Sequence, residues 1–127
     1  MAAEQRAAAQ STPAELAMAG VAFGFTTMGM NANQNVFTQA KLAMAKGLSE
    51  ADAWKALTLD AAQAIGVGSQ LGSIEAGKLA NLVVATADPL GAASSTNKWI
   101  MVAGHLLPVH PPAAGGGRGR GARGGAQ

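Results

Sequence analysis

The chain has 127 residues, no cysteine, nine basic and seven acidic side chains, which suits one small domain and excludes a disulfide framework or a thiolate-ligated metal. Three of the nine basic residues, Arg118, Arg120 and Arg123, sit near the C-terminus, leaving six against seven acids, so the body is near neutral and presents no broad basic face to nucleic acid. There is no run of about 18 apolar residues, so no membrane span is indicated.

Residues 1–10 contain Glu4 and Arg6 and no apolar stretch, which is not the pattern of a secretory signal; they are expected to be a flexible lead. Ser11-Thr12-Pro13 reads as a helix start, with Pro near the first turn and the helix running to Ala19. In Ala19–Gly29, Val21, Phe23 and Phe25 alternate with small residues, the pattern of a strand facing a helix on one side. Val36–Lys46 is the next helix, closed by Gly47. Ser49 is an N-cap, with Asp52 completing a capping box for a helix from Glu50 to Ile65. Gly66 is its C′ residue.

Gly66, Gly68 and Gly72 follow a helix and precede a strand, the reverse of a phosphate-cradling loop, so they read as a cap and a turn. Ser73-Ile74-Glu75 is expected to be a short strand between Gly72 and Gly77. Leu82–Ala85, apolar and β-branched, is a second strand, and Asp88-Pro89 ends it. Lys98–Ala103, Gly104 and His105–Val109 read as a hairpin. The inner face of these strands is expected to hold Ile74, Leu82, Val84, Ile100 and Val102. Val83 and Met101 would point outward, with the helix carrying Trp54 as their candidate cover. Apolar residues make up 49% of the chain but aromatics only 4%, so large core side chains are scarce and burial is modest. Pro111–Gln127 is a Pro/Gly/Arg tail expected to be disordered. Its Arg-Gly spacing lacks aromatics, which disfavours a nucleic-acid role.

The stretch Leu71, Gly72, Ser73, Ile74, Glu75, Gly77, Lys78, Ala80, Asn81, Leu82, Val83, Val84, Asp88 and Pro89 resembles the C-terminal signature of the amidohydrolase superfamily. Those proteins are metal-dependent hydrolases of cyclic amides, ureas and related C–N bonds. Gly47–Gly66 looks like the family's last barrel helix and Ala19–Gly29 like its eighth strand. The resemblance implies an α/β fold: the C-terminal fragment of a (β/α)₈ barrel, last strand and helices, plus part of a small β-sandwich. Its segments are a flexible N-terminus 1–10, barrel end 11–66, sandwich strands 67–110 and disordered tail 111–127. A complete barrel typically needs about 250 residues.

Family members hold divalent metal through a His-x-His pair, further His or Lys ligands, and an Asp after the eighth strand. The histidines of this chain are His105 and His110, both beyond the barrel region. Where the family commonly reads Thr-Asp-Gly, this chain reads Thr27-Met28-Gly29, and a thioether is neither a general base nor a fitting ligand for zinc. The run Phe23-x-x-Thr26-Thr27-x-Gly29, which lacks that Asp, and Asn81 resemble the imidazolonepropionase-like branch. No catalytic, cofactor-binding or metal residue is therefore assigned, and a divalent, zinc-like metal is expected only in a full-length relative. The functional expectation is a hydrolase fragment for non-peptide carbon–nitrogen bonds, inactive alone. The alternatives are a barrel-completing subunit of a split hydrolase, or a nucleic-acid-binding module acting through the tail. A small-molecule substrate belongs to a full-length parent only; no membrane contact is expected, and self-association or aggregation is. Compartment is left open, with the cytoplasm as default.

Overall fold

Alanine, glutamate and glutamine fill the first segment, and they are strong helix formers. The computed structural model describes residues 2–27, 35–91 and 94–109, and in it the first helix, α1, spans Ala2–Met18. This corrects two expectations: residues 2–10 are helical, and Pro13 lies inside the helix instead of opening it. Pro13 gives no N–H to the Ala9 carbonyl, and Ala9 is exposed, where water can satisfy it. The hydroxyls of Ser11 and Thr12 both donate to the Ala8 carbonyl, each at 3.0 Å. The helix closes with Val21 N–H on Leu16 O and Gly20 N–H on Ala17 O, the Schellman pattern.

The segment 21–27, within the strand read over Ala19–Gly29, carries no strand pairing. A strand needs a neighbour for its backbone groups, and none of the described residues supplies one. The alternation still sorts the side chains. Phe23 and Phe25 are half-buried on the helical core, with ring centroids 5.8 Å apart and edge to face.

Helix α2 spans Val36–Ala45, with Asn35 Oδ1 accepting the Thr38 N–H at 2.8 Å. Leu48 N–H reaches Ala43 O and Gly47 N–H reaches Met44 O, so the helix ends at Gly47 as the sequence indicates. The expected single helix Glu50–Ile65 is two: α3, Glu50–Leu57, and α4, Leu59–Ala64. Thr58 divides them at φ −125, ψ −88. Its hydroxyl donates back to Trp54 O at 2.7 Å, a local bond that bends helices. At the start of α3, Ser49 Oγ accepts the Asp52 N–H at 3.1 Å and donates to Asp52 Oδ2 at 2.7 Å. The cap is therefore made, with the carboxylate turned onto the hydroxyl.

Residues 67–81 form turns, not strand, so the expected Ser73–Glu75 strand is also corrected. Ile74 is 85% exposed, and side-chain bonds from Ser73, Glu75 and Lys78 hold this loop in place of a ladder. Three strands follow: β1, Leu82–Ala85; β2, Asn97–Val102; and β3, His105–Pro108. They form one antiparallel sheet in the order β1-β2-β3. The β2–β3 hairpin turns at Ala103 and Gly104, with φ of 49° and 82°, as a two-residue primed turn requires.

The register overturns the expected inner face. Leu82 pairs with Met101 and Val84 with Trp99, whereas Val83 pairs with Ile100. Directly paired residues share a face. One face thus carries Leu82, Val84, Trp99, Met101 and Leu106, and the other Val83, Ile100, Val102 and Leu107. The expected set mixed the two because both faces are apolar, and alternation then gives no sign of which way a strand points. Val83 and Val84 are 59% and 52% exposed. Among the described residues no helix packs broadly on either face, and Trp54 lies instead against Phe37, ring centroids 6.1 Å apart.

The core lies among the helices: Ala14, Ala40, Ala43, Leu48, Ala53 and Leu90 are buried, with Met44, Trp54 and Leu57 packed around them. Leu90, just past β1, is the plug by which the sheet's connection enters the helical layer.

Candidate functional site

Three places could hold chemistry: the end of the 21–27 segment, the signature loop, and the carboxylates at the head of α3. Thr27 is exposed, while Met28 and Gly29 lie outside the described residues. His105 opens β3 as an exposed residue opposite Val102, and His110 lies outside the described residues. Among those residues no group of three or more His, Cys, Asp or Glu could hold a metal ion, and no helix is long and apolar enough to cross a membrane.

The signature loop is built around Lys78, whose side chain is only 13% exposed. Its ammonium donates to Gly68 O at 2.8 Å and Ser73 Oγ at 2.6 Å, and pairs with Glu75 Oε2 at 2.8 Å. All three acceptors belong to the loop itself, so the charge is spent on fastening. The Lys78 hydrogen bond, the Ser73 hydroxyl and the Lys78 charge together hold the Glu75 carboxyl below its ordinary value of 4.5. Gly72 lies against the α3–α4 junction, where an added Cβ would stand 2.8 Å from Ala62 Cβ and 3.0 Å from Thr58 O. Its φ is +98°. Asn81 Oδ1 accepts the Ala103 N–H at 2.8 Å.

At the head of α3 the Glu50 and Asp88 carboxyls are neighbours. Hydrogen bonding between them when one is protonated, and then the repulsion from Asp88, raise Glu50 above its ordinary value. Asp88 is lowered, first by the bond from Glu50, then by the Leu90 N–H, with Gly91 N–H and the Trp54 side chain adding to it. Asp88 Oδ1 takes the Leu90 N–H at 2.8 Å. A carboxyl pair with split pKa values is the form that acid–base catalysis uses. This pair stands in open solvent, and the Leu90 N–H bond to Asp88 holds the Asp-Pro turn.

A depression of about 320 Å³ lies between α2 and the loop before β2. Its lining includes Asn35, Phe37, Thr38, Lys41, Pro89 and Ser95. Sequence reasoning did not mark it, because its walls come from segments far apart in the chain and no motif spans them. Among the described residues its lining has no acid or histidine, so these offer a metal only neutral oxygens.

The model of the amidohydrolase family matches residues 1–107. A solved amidohydrolase from Thermotoga maritima MSB8 is similar in structure, with a TM-score of 0.70 and 30% sequence identity. The match covers 77% of this chain and 26% of that one, so the chain spans about a quarter of that protein's length. No curated protein matches.

Proposed function

The chain belongs to the amidohydrolase family, and from that membership we propose that it is the C-terminal part of a hydrolase of non-peptide carbon–nitrogen bonds, without activity by itself. Residues 11–66 are then the end of a (β/α)₈ barrel, residues 67–110 part of the flanking β-sandwich, and 111–127 a disordered tail. The observation that carries this reading is the residue inventory. Both histidines fall at or beyond the last strand, and the described residues contain no metal-holding cluster. The described residues thus do not fit a divalent metal. A zinc-like ion belongs to a longer relative. Thr27-Met28-Gly29 and Asn81 favour the imidazolonepropionase-like branch.

The open 21–27 segment and the double-sided apolar sheet support the same reading, since both present surfaces that the rest of a barrel and sandwich would cover. They also make the isolated chain prone to associate with itself.

The test is an assay of the purified chain with zinc, manganese or iron against hydantoins, dihydropyrimidines and imidazolones. No turnover is expected; metal-dependent turnover that a chelator removes overturns the proposal. Sedimentation at several concentrations should show association, and a monomer at all of them would overturn that part. Activity that appears only on mixing with a chain supplying the other barrel strands would make it a barrel-completing subunit instead.

A further inference from the structure

We draw no further inference here: the strongest candidate, the apolar, exposed faces of the three-stranded β1–β3 sheet as a docking surface for a second copy or another protein, carries nothing because nothing in the structure shows what covers them.

Discussion

Asn81 Oδ1 accepts the backbone N–H of Ala103 at 2.8 Å, tying the residue that precedes β1 to the tip of the β2–β3 hairpin. The Gly104 N–H beside it reaches Ala80 O at 3.1 Å. Ala103 is a non-glycine residue at positive φ, a conformation that costs energy and that this bond helps to hold. Replacing Asn81 by Ala should cost about 1 kcal/mol and speed hydrogen exchange at Ala103 and Gly104. Asn81→Asp keeps the acceptor and should preserve protection at neutral pH. Equal loss in both variants would mean that the oxygen is not the fastening group.

Gly72 and Gly77 both have positive φ, but only Gly72 is crowded. Gly77→Ala should cost about 1–2 kcal/mol, for the backbone conformation alone. Gly72→Ala adds overlap with Ala62 and the Leu59 backbone, so its total should be greater by about 1–3 kcal/mol. Denaturant titration of the two variants checks the order, and a reversed order would refute the close approach.

The Lys78 clamp has a pH signature. The Glu75 carboxyl is lowered, so its contribution is present above the ordinary carboxylate range and is lost as pH falls through the lowered value. NMR titration should place Glu75 below 4.5. Lys78→Met should raise it toward the ordinary value, with the Ser73 hydroxyl still lowering it, and loosen residues 68–78. A Glu75 titration that ignores the substitution would break the assignment.

Glu50 and Asp88 should be shifted in opposite directions from their ordinary values. The raised Glu50 contributes stability below the ordinary carboxylate range, lost as pH rises through its folded value. The lowered Asp88 contributes above that range, lost as pH falls through its own. Asp88→Asn removes the repelling charge and should return Glu50 toward 4.5. Glu50→Gln keeps a donor for Asp88, so it should remove the loss that Glu50 causes as pH rises and leave the acid-side loss from Asp88 in place. If Glu50 titrates identically with and without Asp88, the pair does not exist in solution.

How far the sequence could be read depended on whether a signal was local. The caps at Ser49 and Gly47 and the hairpin turn at Gly104 are local, and all three formed, the turn taking in Ala103 as well. Thr58 broke a helix whose apolar spacing runs straight through it, because a hydroxyl bond to the preceding turn leaves no mark on periodicity. The 21–27 segment had strand alternation without a pairing partner, so the pattern placed Phe23 and Phe25 and not a ladder. The sheet register failed for the opposite reason: with apolar residues on both faces, a one-residue slip costs no burial and nothing in the pattern opposes it. At the signature loop the motif located the right residues, but not that Lys78 would be enclosed by Gly68, Ser73 and Glu75.

The fastening of Lys78 and Asn81 bears on what this motif can diagnose. Each conspicuous residue of the stretch is engaged with its own chain: Lys78 with its loop, Asn81 with a hairpin, Asp88 with a turn and a helix head. Selection for folding alone would keep such a pattern intact after every metal ligand had been lost. Finding the motif in a genome therefore counts scaffolds, and a census of working hydrolases has to be taken from the ligands.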